Sequence, residues 1–205
     1  MKALSMKAVI ALSAVFVLVL NAAVAQPQGQ QVRIRGTVQK LDGQKLTVES
    51  QKAGTITVTM APNIGINGLK EQSLSDIDDG DFIGTTATKG QDGRWKAVEV
   101  HIFPESMRGA GEGHYPWDMP GSTMTNANVS GTTKIKDGRT LELAYDGGQV
   151  EVDVMPDTPI VRFIPGDRSL LEPGAKVFVL AAKGEDGTIN AFAITAETNG
   201  VEPPM

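Results

Sequence analysis

The feature that most constrains the fold of this chain is an internal duplication. Two copies share turn and core residues at a steady spacing, which is 95 residues from Gly36 to Gly131. Both copies contain apolar runs separated by Asp-Gly pairs, and each has a Lys-Gly-x-Asp-Gly loop before its last apolar run. A constant offset is typical of tandem copies of one structural unit. The sequence therefore predicts two domains, a first β-barrel repeat over residues 32–102 and a second over residues 128–197.

Within each copy, apolar and polar residues alternate with a period of two. Val32, Ile34 and Gly36 alternate with Arg33 and Arg35 in the first copy. Such alternation is typical of strands with one buried and one exposed face. The Asp-Gly pairs between apolar runs supply the positive φ angles that tight hairpin turns require. Helix is limited to a single turn per copy, at residues 73–77 and 169–172.

These strands predict an all-β fold made of two tandem small antiparallel β-barrels, preceded by a signal-peptide helix. About five or six short strands and one helical turn per copy favour a barrel of the OB-like or split-barrel type. Closure is physically motivated because a small flat sheet would leave two unpaired edges. The alternative is a pair of small β-sandwiches, because the period of two does not distinguish sandwiches from barrels.

The first 25 residues have the charge pattern of a secretory signal peptide. Lys2 and Lys7 precede an apolar stretch, and Ala23 and Ala25 occupy the small-residue positions of a cleavage site. We therefore predict a signal peptide over residues 1–25, a short tail over 26–31, and a periplasmic or secreted location. The apolar stretch is shorter than the roughly 20 residues of a membrane span, so no stable membrane insertion is expected after cleavage.

Composition narrows the classes of partner and site. The formal net charge is −5 at pH 7, with no basic patch of the kind that binds nucleic acid. The chain contains no cysteine, which excludes disulfides, thiolate metal sites and cysteine nucleophiles. The expected partner is therefore a protein or a small ligand in the periplasm, and not a nucleic acid.

The connector between the repeats, residues 103–127, has no counterpart elsewhere in the chain. A short C-terminal tail over 198–205 follows the second repeat. One of the two tryptophans, Trp117, lies in it, and the two histidines of the chain are His114 within it and His101 beside it. Its aromatic and methionine content is unlike that of a flexible spacer. We expect it to pack between the modules and to form the candidate site.

The first hypothesis for this site is metal binding, with zinc or copper as the candidate ions. Imidazole, carboxylate and thioether groups are ligands for these metals, but no recognised ligand spacing is present. The candidate ligands are His101, Glu105, Met107, Glu112, His114 and Asp118.

The second hypothesis is ligand capture by the glycine-rich part of the connector. Gly109, Gly111 and Gly113 with Arg108 could form an anion-binding nest of backbone N–H groups. The third hypothesis is partner recognition, with the aromatic residues Tyr115 and Trp117 as anchors.

Two further alternatives concern the class of protein. The connector residues could have a purely structural role, with Tyr115, Trp117 and the methionines sealing the seam between two barrels in an assembly protein. A hydrolase would need a carboxylate pair such as Glu105 with Glu112 or Asp118, and no nucleophile-and-base motif accompanies it.

The repeated pattern resembles a bacterial secreted family known only as a domain of unknown function, with tandem small OB-like β-barrel repeats. The residues that carry the resemblance are Gly36, Val38, Asp42-Gly43 and the segment 73–81, repeated from Gly131. The segment 101–118 is similar to exported proteobacterial proteins sometimes labelled metal ABC transporter permease. This second resemblance implies a periplasmic accessory role, because a permease requires several membrane-spanning helices.

These observations together predict an exported, periplasmic, non-enzymatic binding or interaction protein. Its ligand is not specified by the sequence, and a metal-associated accessory role is one version of the prediction.

Overall fold

The computed structural model describes residues 30–204, so the predicted signal peptide, residues 1–25, lies outside the described residues. The prediction of an all-β fold is confirmed, and the only helices in the described range are single 3-10 turns at Leu74–Asp76, Glu105–Met107 and Arg168–Leu170. The strands are β1 (Gln30–Asp42), β2 (Lys45–Ser50), β3 (Gly54–Gln72), β4 (Phe82–Lys89), β5 (Trp95–Ile102), β6 (Gly113–Pro116), β7 (Ser122–Ile135), β8 (Gly138–Tyr145), β9 (Gly148–Val154), β10 (Ile160–Pro165), β11 (Lys176–Lys183) and β12 (Ile189–Ala196).

Five strands close into a β-barrel, which we call the first circuit. Its order is β1, β2, β3, β12 and β11, and β11 returns to β1 through eight antiparallel residue pairs from Gln30↔Lys183 to Thr37↔Lys176. The parallel pairing of β12 with β3 completes the ring. Gly36 allows β1 to approach β2 closely, since a Cβ there would lie 2.1 Å from the carbonyl oxygen of Glu49.

The other long strands form a second circuit in the order β5, β4, β7, β8 and β9. Its ends meet through only two parallel residue pairs, Trp95↔Val152 and Lys96↔Asp153. The short strand β6 adds to one side of β7. Each circuit therefore combines strands from both predicted repeats, because β11 and β12 join β1–β3 while β4 and β5 join β7–β9.

Strand β10 links the two circuits into one continuous sheet. It pairs antiparallel with the second half of β3 from Ile160↔Gln72 to Pro165↔Asn67, and parallel with β5 on its other edge. The second half of β3 belongs to the first predicted repeat and β10 to the second, so their direct pairing joins the two predicted repeats.

Two separate clusters of buried apolar side chains lie inside the circuits, as the alternating pattern predicts. Each cluster draws on both halves of the sequence. The first cluster includes Val38, Leu46, Val48, Met60, Val179 and Ile194. The second cluster includes Ile83, Val100, Ile102, Val129, Leu141 and Leu143.

The single helical turns predicted at residues 73–77 and 169–172 are present at Leu74–Asp76 and Arg168–Leu170. Leu171, after the second turn, is buried in the first cluster, and Ile77, after the first turn, is buried in the second. The turn at Leu74–Asp76 thus packs in the second circuit, which contains β4 and β5. The turn at Arg168–Leu170 packs in the first circuit, which contains β11 and β12. Residues 30–204 include no helix long and apolar enough to cross a membrane.

Candidate functional site

A cavity of about 650 Å³ lies between the two circuits and is covered by the connector; we call it the central cavity. This volume is within the usual range for small-molecule sites. One wall comes from the first circuit, with Gln31, Arg33, Arg35, Phe178, Leu180 and Phe192. The opposite wall comes from β5, β7 and β10, with Glu99, His101, Met124, Asn126, Val161 and Phe163.

The connector and the end of the chain complete the enclosure. Pro203 and Pro204 close one part of the rim. Besides Met124 and Asn126, the connector residues that line the cavity are Phe103, Met107, Ala110, Gly111, Glu112, Tyr115 and Trp117.

Strand geometry explains why arginines and phenylalanines reach this space. Ile34 points into the first cluster, so its neighbours Arg33 and Arg35 point to the outer face of the barrel. On β11, Phe178 lies opposite Arg35 and Leu180 lies opposite Arg33 in the β1–β11 register. The outer face of the first circuit is therefore the inner wall of the cavity.

The two arginines of the β1 wall have different partners. Arg35 forms an ion pair with Asp118 of the connector, and its guanidinium lies 4.3 Å from the centre of the Phe178 ring. The guanidinium of Arg33 lies 3.8 Å from the centre of the Trp117 ring, a cation–π distance. These contacts hold Trp117 and Asp118 against the first circuit.

The β5 wall contains a buried carboxylate beside an imidazole. Glu99 is only 3% exposed and accepts a 2.7 Å hydrogen bond from Oγ1 of Thr86. Nδ1 of His101 is 3.6 Å from the other carboxylate oxygen. The centre of the His101 ring also lies 5.2 Å from that of Phe103 and 5.1 Å from that of Phe163, so the imidazole has both polar and aromatic neighbours.

Several buried polar atoms at or beside the cavity have no hydrogen-bond partner within the described part of the chain. Among them are the donors Nε of Arg35 and Nε1 of Trp117 and the acceptor Oδ1 of Asn126. Asn126 is 8% exposed, and its amide nitrogen donates to the carbonyl of Ala110. Buried polar groups are nearly always paired in folded proteins, so these atoms are donors and acceptors that the described part of the chain leaves unsatisfied.

Three of the six residues predicted to bind a ligand line the central cavity, namely Gly111, Tyr115 and Trp117. The other three, Arg108, Gly109 and Gly113, do not line it. Arg108 instead pairs with Glu105 at 2.7 Å and donates to Asn128 at 2.5 Å and to the carbonyl of Gly80. These contacts attach the connector to β7 and to the turn before β4.

The predicted metal ligands are also divided. His101, Met107 and Glu112 line the central cavity, whereas Glu105, His114 and Asp118 do not. Across residues 30–204, no three His, Asp or Glu side chains lie close enough together to hold a metal ion.

The two histidines lie on opposite sides of β7. His101 and Asn126 both approach Gly84, where a Cβ would lie 2.1 Å from Nε2 of His101 and 2.6 Å from Oδ1 of Asn126. His114 Nδ1 is instead 2.8 Å from Oγ1 of Thr125. Adjacent residues of a strand point to opposite faces, so the two imidazoles are separated by the sheet.

The carboxylates considered for a hydrolytic pair are engaged separately. Glu105 pairs with Arg108, and Glu112 accepts a 3.1 Å hydrogen bond from the backbone N–H of Asp146. Asp118 pairs with Arg35. No two of them share a partner within the described residues.

Burial changes the titration of two aromatic side chains of β6. It raises the pKa of the Tyr115 phenol, an effect that the nearby charge of Arg33 partly offsets. The neutral hydroxyl donates to the carbonyl of Gly111 at 3.3 Å. Burial also lowers the pKa of His114, whose ring lies between Trp95 and Tyr145 at 5.5 and 6.1 Å. Both side chains are therefore held in their neutral forms at neutral pH.

Sequence reasoning did not identify the strand residues of the cavity, above all Arg33, Arg35, Phe163 and Phe178. A usable signal lies in β11, where residues 177–182 are uninterruptedly apolar. A strand that is apolar on both faces is typical of one covered on both sides. The outer face of β11 could thus have been recognised as a covered surface.

Comparison of the chain with models of known protein families, with curated proteins and with solved structures gives no match. The resemblance of the repeats to a bacterial secreted family therefore stays a prediction.

Proposed function

We propose that this chain is an exported, non-enzymatic binding protein that holds a small, largely apolar ligand in the central cavity. The observation that carries the proposal is the cavity itself, a space of about 650 Å³ with aromatic walls. Unpaired buried atoms such as Nε1 of Trp117 and Oδ1 of Asn126 add polar groups to these walls. Apolar walls with a few fixed polar groups are characteristic of small-molecule sites.

We further propose that each circuit is an OB-like barrel whose last two strands come from the other repeat. In the first circuit, strands β1–β3 are followed by β12 and β11, with the turn at Arg168–Leu170 directly before β11. A five-stranded Greek-key barrel of this kind is the basis of the OB-fold. Strand exchange between the repeats would hold the two barrels at a fixed distance and so maintain the cavity between them.

Export is proposed from the leader pattern of residues 1–25 alone. Binding is favoured over hydrolysis because Glu105, Glu112 and Asp118 each have a separate partner. It is favoured over zinc or copper binding because His101 and His114 lie on opposite sides of β7.

The test uses phenylnaphthylamine, an uncharged fluorophore whose emission rises in apolar surroundings. Ala193 and Thr195 of β12 line the cavity, so Ala193→Trp and Thr195→Phe should each fill part of it. Ala53→Trp, in the exposed turn before β3, is the matched control. Circular dichroism establishes that each variant retains its strands.

The proposal expects saturable probe binding by the wild type and the Ala53 variant. Binding should fall at least about tenfold in a folded cavity variant, equal to a loss of about 1.4 kcal/mol. Undiminished binding in folded Ala193→Trp or Thr195→Phe protein would contradict the proposal. Large destabilisation by either filling substitution would also contradict it, because a substitution into open space should not disrupt packing.

A further inference from the structure

The β1 wall of the central cavity carries a positive charge that no acidic group of the described chain neutralises. Arg35 is paired with Asp118, but Arg33 forms no ion pair among residues 30–204. Its guanidinium instead lies over the face of the Trp117 ring at 3.8 Å. Stacking on the ring restricts the side chain, so a ligand that contacts its N–H groups loses less side-chain entropy.

Two further donors in the same region are buried without an acceptor. They are Nε of Arg35 and Nε1 of Trp117, and both residues line the cavity. A buried N–H without a partner costs roughly as much free energy as a lost hydrogen bond. Beside them, Oδ1 of Asp118 is a buried acceptor without a partner. The two donors and the guanidinium of Arg33 still outnumber this acceptor, so the wall formed by Arg33, Arg35 and Trp117 has an excess of donors.

The acidic side chains at the cavity do not offset this excess. Glu99 is on the opposite wall, where Thr86 donates to it and His101 is adjacent. Glu112 accepts a hydrogen bond from the backbone of Asp146. Neither carboxylate pairs with Arg33, so the β1 wall is the place where an added negative charge would be stabilised.

We infer that the ligand of the central cavity is an amphipathic anion, an apolar ring or chain that carries one carboxylate, sulfonate or phosphate group. Its anionic group would lie against Arg33 and accept hydrogen bonds from the donors of the β1 wall, because charge-assisted hydrogen bonds are the strong ones. Its apolar part would contact the phenylalanines Phe103, Phe163 and Phe178. This inference rests on the proposed function, since it assumes that the cavity is a binding site.

Two fluorophores with the same ring skeleton separate the contribution of charge from that of shape. Anilinonaphthalene sulfonate carries one negative charge, and phenylnaphthylamine is its uncharged parent. The variant is Arg33→Gln, which keeps a polar side chain on β1. Lys134→Gln is the control, because it removes one positive charge from an exposed position on β7.

We expect the wild type to bind the sulfonate at least about tenfold more tightly than its parent, as one charge-assisted hydrogen bond would provide. Arg33→Gln should abolish most of that preference while changing affinity for the uncharged probe less than about twofold. Lys134→Gln should leave both affinities unchanged. Added salt should weaken sulfonate binding more than binding of the parent.

The outcomes distinguish this inference from the proposed function. If both probes bind equally well, and Arg33→Gln affects neither, the anionic ligand is wrong although the cavity remains a binding site. If the sulfonate preference persists in Arg33→Gln, the inference is wrong as well. If cavity-filling Ala193→Trp leaves both affinities unchanged, the proposed function itself fails.

Discussion

The guanidinium of Arg94 forms two hydrogen bonds with the carboxylate of Asp153, each 2.6 Å long. Arg94 directly precedes β5, whereas Asp153 belongs to β9 in the other repeat. Only two residue pairs join these strands, and one of them includes Asp153. Thr140 on β8 donates a further 2.7 Å hydrogen bond to the same carboxylate. This network therefore stabilises the second circuit between β5 and β9, where only two residue pairs close it.

Replacing Asp153 with Asn should destabilise the protein through this network. Asp153 is 5% exposed, and its hydrogen bonds to a charged partner are the strong kind, so we expect the free energy of unfolding to fall by about 1 to 3 kcal/mol. Urea denaturation measures the change. Asp157→Asn, at an exposed position after β9, is the control and should be close to neutral. An equal effect of the two substitutions would show that the network does not stabilise the fold.

The same carboxylate should make stability depend on pH. The hydrogen bonds from Arg94, more than the one from Thr140, hold the pKa of Asp153 below its usual value of about 3.9. As pH falls, the Asp153 carboxylate is therefore protonated at a higher pH in the unfolded chain than in the folded protein. The stabilisation that it provides is lost progressively from the unfolded pKa down to the lowered folded pKa. The difference in free energy of unfolding between the wild type and Asp153→Asn should be constant above about pH 5, and it should shrink at lower pH. A difference that is independent of pH down to 2 would contradict the assignment.

His114 should give a pH dependence near neutrality. Burial lowers its pKa in the folded protein, so the unfolded chain, with a pKa of about 6.5, binds the proton more tightly. The free energy of unfolding should thus fall as pH drops below about 6.5. His114→Gln should lack this component, as seen by comparing denaturation curves at pH 8 and pH 5. A His114 imidazole resonance that titrates at or above the midpoint of the urea-unfolded chain would contradict the prediction.

A substitution of Trp117 can distinguish a structural role of the connector from a binding role. In Trp117→Phe a smaller aromatic ring remains at this position, and the lost Nε1 donor has no partner within the described residues. We expect this variant to change the free energy of unfolding by less than about 1 kcal/mol, since an unpaired donor contributes no hydrogen bond. Binding of anilinonaphthalene sulfonate should nevertheless weaken. Unchanged binding, together with a large loss of stability, would favour a connector that only seals the seam.

Strand exchange should couple the two circuits in unfolding. Leu46 and Leu143 are fully buried in different clusters, and truncation of either to Ala should cost about 2 to 5 kcal/mol. Because each circuit contains strands from both repeats, both variants should shift one shared transition. The measurement is thermal unfolding followed by circular dichroism and by fluorescence of Trp95 and Trp117. Two transitions, with only one of them moved by Leu46→Ala, would contradict this coupling.

The duplication and the period of two were sufficient to predict an all-β fold and two of its three helical turns. Ile34, for example, is buried on the predicted side of β1. Pairing between strands was harder to predict, because alternation fixes which face is buried but not which strand is the neighbour. The parallel pairing of β12 with β3 joins residues more than a hundred positions apart, and no local pattern marks such a partner.

The site was predicted only in part, for a related reason. Tyr115 and Trp117 were recognised because aromatic residues are conspicuous in a glycine-rich connector. Arg33 and Phe178 were not, because outward strand positions are expected to face water. They line a cavity only because a second circuit and the connector cover that face. Asp118 and His114 were grouped with His101 by proximity in sequence, which says nothing about the side of a strand on which each one lies.

The most direct test of the central cavity as a binding site is amide hydrogen exchange with and without saturating anilinonaphthalene sulfonate. The account predicts slower exchange in β1, β11, β12 and the connector around Trp117, with β2 and β8 unchanged. Protection confined to β2 and β8, or no protection in any strand of the cavity wall at saturation, would contradict it.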